Sequence, residues 1–125
     1  MNTSVHLLHE FIYRSADIWP DNRSIEYKRS HLTYEEFAQL VIKAASGFID
    51  AGVKKHDRIG IFLPKCFENI ITIYAASAAG SIFVPITPNL KSQQILHILQ
   101  DSETHTIVTS ADRLITIKEI GRAHV

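Results

Sequence analysis

His6 and His9 stand about one helical turn apart near the start of the chain, a spacing that can present two imidazoles to one metal ion. No third ligand lies near them in sequence, so a surface helix is the plainer expectation. Cys66 sits where a helix is expected to begin, and a helix N-terminus favours the thiolate over the thiol. It lacks a histidine-and-carboxylate pair that sequence could assign to it, and reads as a structural cysteine. His56-Asp57-Arg58 precedes an apolar run and invites an acid–base reading. The expected role is structural: hydrogen bonds and a partly exposed Asp57–Arg58 ion pair that hold a loop, a modest effect. Lys54 and Lys55 follow a helix end, where the dipole and solvent account for them. The glycines at 47, 52, 60, 80 and 121 never cluster, and neither G-x-G-x-x-G nor G-x-x-x-x-G-K-[ST] occurs. No residue is assigned a catalytic, cofactor-binding or metal-ligating role.

The elements that would position these residues are plainer than the chemistry. Leu7, Leu8, Phe11 and Ile12 predict a first helix with Ser4 as its cap, ending near Trp19-Pro20. Ser24 to Tyr27 alternates as a short strand, and Leu32 is expected to pair with it across a Lys28–His31 turn. Thr33 and Glu36 have the spacing of a reciprocal capping box. Behind it, Phe37, Leu40, Val41, Ala44, Ala45, Phe48 and Ile49 trace one apolar face up to Gly52, a left-handed stop. Ile59 to Leu63 reads as a strand covered on both faces. Phe67, Ile70, Ile71, Tyr74 and Ala78 predict another helix, closed by Gly80. Ile82 to Ile86 is expected to be a second buried strand, with Pro85 near its end where a missing donor is tolerated. Ile95 to Leu99 predicts a short helix, Thr106 to Thr109 a third strand, and Ser110 a cap for a last helix. Strand–helix alternation from Arg58 onward predicts an α/β fold with a mainly parallel sheet and no internal boundary.

Composition narrows the class. Thirteen basic residues balance thirteen acidic ones, so nothing points to a nucleic-acid or anionic-membrane surface. A chain of 125 residues has the length of one domain, which buries roughly two-thirds of its unfolded surface. One cysteine excludes an internal disulfide framework. No signal pattern opens the chain and no run approaches the ~20 apolar residues that span a bilayer, so a soluble, cytoplasmic protein is expected.

The order of the signals is more specific than any one of them. A Pro20-Asp21 turn, Thr33-Tyr34-Glu35-Glu36, Gly52-Val53 and Asp57-Arg58 ahead of a strand ending in Leu63-Pro64 come first. Ala79-Gly80, Val84-Pro85-Ile86-Thr87-Pro88 and Ile98-Leu99-Gln100-Asp101-Ser102 follow. From Leu7 to about Leu114 this order resembles the N-terminal region of AMP-forming acyl-CoA synthetases and related adenylate-forming enzymes. Lys65-Cys66-Phe67-Glu68, Phe83-Val84-Pro85-Ile86 and Thr109 through Leu114 look more like the acyl-CoA ligases of bacterial exosortase systems. His56 stands where the family usually has glycine, and Thr87 where it often has asparagine, both in loops.

The resemblance implies two half-reactions. A carboxylic, fatty acid is activated by ATP to an acyl-adenylate with release of pyrophosphate, and the thiol of coenzyme A then displaces AMP, with Mg2+ offsetting phosphate charge. The family draws on a phosphate loop ending in Pro-Lys-Gly, an aromatic-Thr-Glu motif, a ribose-binding Asp and a C-terminal lid Lys, and none of these occurs in residues 1–125. The chain is therefore expected to be an inactive N-terminal fragment, with 1–118 a partial AMP-binding domain. Residues 119–125 are expected to be a non-native tail: Glu119 to Val125 back-translates to GAG ATC GGA AGA GCA CAC GTC, which holds the start of a common sequencing adapter whose next bases read TGA. The alternatives are a non-catalytic α/β binding module and one part of a split adenylating enzyme.

Overall fold

In the computed structural model, which describes residues 7–123, Thr33 ends a strand and opens the longest helix in a single residue. Its hydroxyl accepts from the Glu36 amide at 3.2 Å while its own N–H donates to the Glu36 carboxylate at 2.9 Å. Both halves of the capping box are formed. Those contacts, the Thr33 N–H first, hold the Glu36 carboxyl below its ordinary pKa. A lowered folded-state pKa stabilises above the ordinary carboxylate range, and the gain is lost as pH falls through the lowered value. Thr33→Ala is expected to cost about 1 kcal/mol. It should also shallow the acid-side fall in melting temperature, checked by thermal melts at neutral and acid pH.

Helix α1 spans Leu8–Ile18, and the antiparallel hairpin β1 (Arg23–Tyr27) and β2 (Ser30–Thr33) leads into α2 (Tyr34–Asp50). The hairpin turn is tighter than expected, because Ser30 and His31 already pair with Tyr27 and Glu26 and Lys28 takes φ 56°. Leu32 pairs with Ile25 as expected. The cap expected at Ser4 lies outside the described residues. Leu7 occupies the cap position of α1 and makes no side-chain capping bond. From Arg58 the chain alternates β3 (Arg58–Phe62), α3 (Phe67–Ala78), β4 (Ile82–Pro85), α4 (Ser92–Asp101), β5 (Thr106–Thr109) and α5 (Ala111–Ala123). Gly52 and Gly80 follow the ends of α2 and α3 at φ 100° and 76°, the left-handed stops read from sequence.

The three later strands form a parallel sheet in the order β4-β3-β5, with Ile59 opposite both Phe83 and Thr106. One face carries α2 and α3, where Val53, Ile59 and Ala76 are buried with Phe48, Phe83 and Val108 against them. The other carries α4 and α5, where Phe62, Ile86, Ile95 and Ile120 are buried together with Ile107 and Ile117. A further cluster of Phe37, Val41, Ala45 and Ala75 joins α2 to α3, with Ile12 and Tyr13 of α1 packed on it. Among the described residues no helix is long and apolar enough to cross a membrane.

Several packing expectations need correction. β4 is an edge strand and not a buried one: Ile82 is 44% exposed and Pro85 lies open. β3 alone is flanked on both sides, so only it is buried almost throughout. On α2, Phe37, Val41 and Ala45 are buried, but Leu40 and Ile49 turn outward. On α3 the deepest residues are Thr72, Ala75 and Ala76, while Ile70 is exposed. α3 packs against α2 as well as against β3 and β4, and small residues permit that close approach. The buried Thr72 hydroxyl donates to the Glu68 carbonyl at 2.6 Å.

Candidate functional site

The parallel sheet changes direction between β3 and β5. β3 leads to β4 through α3 on one face, whereas β4 returns past β3 to β5 through α4 on the other. The loops leaving the C-terminal ends of β3 and β5 therefore diverge to opposite faces. In open α/β sheets that divergence leaves the crevice where ligands bind.

At that position stand Phe62 to Cys66 after β3 and Thr109 to Arg113 after β5. The Thr109 hydroxyl donates to the Phe62 carbonyl at 2.9 Å, joining the two strand ends. Asn69 Nδ2 donates to the carbonyls of Leu63 and Pro64 at 3.2 and 3.4 Å, fixing the first turn of α3 against the loop. Arg113 lies with its guanidinium 5.2 Å from the Phe62 ring centre and donates to the Pro88 carbonyl at 3.4 Å. Arg113, in the first turn of α5, thus joins the end of β3 to the loop after β4. The Ser110 hydroxyl and Arg113 Nε are buried without a hydrogen-bond partner. The Ser110 hydroxyl makes no capping bond to the backbone of α5 and lies instead toward the Asp112 carboxyl, whose pKa it holds low.

The residues singled out from sequence fall elsewhere or do other work. Cys66 occupies the cap position of α3 without a side-chain capping bond, and burial pushes its thiol pKa up, with the neighbouring Glu68 adding to the rise, so the helix terminus does not activate it. His9 contacts the Ser77 hydroxyl through Nδ1 at 2.9 Å and stands edge-on to Tyr13, which pins α1 to α3. His6 lies outside the described residues. Asp57 accepts from the Lys54 amide at 2.8 Å and donates its own amide to the Lys54 carbonyl at 3.0 Å. That closed loop takes the place of the expected Asp57–Arg58 ion pair, because the carboxylate already has a well-aligned backbone partner. His56 takes φ 71°, and its backbone N–H donates to the Gly80 carbonyl at 2.8 Å. Lys55 packs its stem over Gly80.

Among the described residues no group of three or more His, Cys, Asp or Glu side chains converges as metal ligands. Thr109, Asn69 and Arg113 were missed by sequence reading. Their signal, a threonine or arginine just past a buried strand, is too common to single out without the strand order.

Comparison with known proteins agrees with this architecture. The sequence profile of the family described as AMP-binding enzyme matches residues 12–124. Tyrocidine synthase 1 of Brevibacillus parabrevis is 28% identical over 114 residues, covering 91% of this chain and 10% of that protein. A mitochondrial medium-chain acyl-CoA ligase of Danio rerio is 30% identical over 96 residues, 75% of this chain and 16% of that one. The solved N-terminal domain of FACL13 from Mycobacterium tuberculosis superposes with a TM-score of 0.87 at 23% identity, covering 97% of this chain and 31% of that domain. The chain thus spans about a tenth of the first relative's length and under a third of the solved domain. With a fold shared with that domain and a family profile running through nearly its whole length, this chain belongs to the AMP-binding, adenylate-forming enzymes.

Proposed function

We propose that the 125 residues are the opening scaffold of an AMP-forming ligase that activates a carboxylic, fatty acid with ATP and passes the acyl group to coenzyme A. The observation that carries this reading is the order of motifs from Thr33 to Ser102, each of which the fold uses as a cap, turn or strand end. Adenylation requires convergent amides and cations around the α-phosphate in the transition state. The crevice between β3 and β5 supplies one wall for such a site and none of its catalytic groups, so residues 1–125 contribute positioning only. The reading takes 1–118 as a partial AMP-binding domain and 119–125 as a non-native tail, and places the enzyme in the cytoplasm with ATP, Mg2+ and coenzyme A as its cofactors. Similarity to a medium-chain acyl-CoA ligase supports coenzyme A as acceptor. The run Lys65-Cys66-Phe67-Glu68 supports the exosortase-associated type.

A second reading has its own support. Similarity to tyrocidine synthase 1 and to a peptide synthetase of Aspergillus terreus favours an adenylation domain of the peptide-synthetase kind, with a carrier-protein thiol as acceptor. Coding DNA extended beyond the Lys118 codon tests both. The proposal expects an open frame that reaches a Ser/Thr-Gly-rich loop ending in Pro-Lys-Gly; an encoded carrier-protein domain after it would favour the second reading. A natural stop beside a complementary frame would replace both with a split enzyme.

A further inference from the structure

A cavity of about 580 Å³ opens between the start of α1, the end of α3, the loop ahead of β3 and the start of β4. Leu7, Leu8, Ile82 and Phe83 form its apolar walls. Leu7 is 53% exposed, Leu8 36% and Ile82 44%, so three large apolar side chains meet water inside one concave surface. Such residues are ordinary when scattered singly. Gathered in a concavity of ligand size, they mark a binding surface.

The cavity lies at the N-terminal ends of β3 and β4, whereas the crevice lies past the C-terminal ends of β3 and β5. Backbone bonds hold its segments together: the His56 N–H donates to the Gly80 carbonyl and the Ile82 N–H to the Asp57 carbonyl, each at 2.8 Å. The contact of His9 Nδ1 with the Ser77 hydroxyl at 2.9 Å fixes α1 against the end of α3. The walls thus stand in place without a ligand.

Charge gives the site a sign. Among the described residues that line it, Lys55 and His56 are the ionisable ones. Neither side chain has a hydrogen-bond or ion-pair partner among the described residues. The Ser77 hydroxyl is engaged by His9, and the Ser81 hydroxyl donates to the Ala76 carbonyl at 2.8 Å. Lys55 is exposed and lays its stem over Gly80, the way a lysine keeps its ammonium in water above apolar surface. A free cation at the rim of an apolar hollow matches a ligand with an anionic head and an apolar tail.

We infer that this cavity binds a small amphipathic carboxylate, an alkyl-chain acid whose tail lies against Leu7, Leu8 and Ile82 and whose head meets Lys55. Binding there involves no ATP and no residue of the crevice, so its test stands apart from the reaction proposed above.

The test is titration of the 125-residue chain with octanoate, followed by NMR of methyl and amide groups. Saturable shifts are expected at Leu7, Leu8, Lys55 and Ile82. Each methylene added to the acid should tighten binding about three- to fourfold until the cavity is full. Lys55→Glu should weaken octanoate by about fivefold or more at low salt and leave octanol unaffected. Ile82→Asp should weaken both by about tenfold. The shift map of the unaltered chain keeps the test decisive if a variant fails to fold. No saturation short of micelle formation, shifts confined to Leu63 to Cys66 and Thr109 to Arg113, or octanol bound as tightly as octanoate would each overturn the inference. So would an octanoate affinity that Lys55→Glu leaves unchanged.

Discussion

Phe37→Ala is expected to abolish cooperative folding of this chain. Phe37 is wholly buried in the cluster that joins α2 to α3, with its ring edge-on to Tyr74 at 5.4 Å between centres. Truncating a buried phenylalanine costs about 3–5 kcal/mol, from lost transfer energy and from the cavity left behind. Domains have only about 5–15 kcal/mol in total, and this one has half-open sheet edges and exposed helix faces. Phe11→Ala is the control of matched chemistry. Phe11 is 56% exposed on α1, so its truncation should stay within about 0.5 kcal/mol. Thermal melts and urea titrations of the two variants separate burial from aromatic content. Equal effects would mean that α2 and α3 do not carry the core.

Gly60→Val is the second large effect, for the opposite reason. Gly60 lies mid-way along the central strand and faces the α4 layer. A Cβ there would stand 3.2 Å from Thr104 Cγ2, 3.4 Å from Ile86 Cδ1 and 3.5 Å from Leu99 Cδ2. Valine adds two methyl groups beyond that point, so α4 and the loop ahead of β5 must lift from the sheet. Overpacking of this kind costs about 1–3 kcal/mol. Gly47→Ala in α2 is the contrast, because nothing lies within 4 Å of its added Cβ. It should stabilise by about 0.5–1 kcal/mol through helix propensity. Since Gly60 sits in the strand that ends at the crevice, its effect in a longer polypeptide should appear as less folded enzyme with little change in turnover per folded molecule.

Local signals in the sequence translated directly into structure. Thr33 and Glu36 close their capping box, Gly52 and Gly80 take left-handed conformations, and Ile59 to Phe62 is buried on both sides. Each depends on residues a few positions apart. What needed the fold was the identity of neighbours. The exposure of Ile82 in β4 follows from β5 skipping past it to pair with β3, which no periodicity announces. Leu40 and Ile49 share a helical stripe with Phe37 and Val41 yet find nothing to cover them. The candidate crevice was the least legible part. Its key contact joins Thr109 to Phe62 across 47 residues, and Arg113 reaches Pro88 only because α5 and the end of β4 meet on one side of the sheet. The family resemblance supplied the reaction class, while the residues in hand supplied only its frame.

Carboxylate-dependent exchange between ATP and labelled pyrophosphate, run on the 125-residue chain beside the longer polypeptide read from its gene, tests the central claim most directly. The account predicts background exchange from the chain with every acid tried, and exchange well above background from the longer polypeptide with at least one. Exchange by the 125 residues alone would contradict it, because it would place adenylating groups within a chain here assigned only a positioning role.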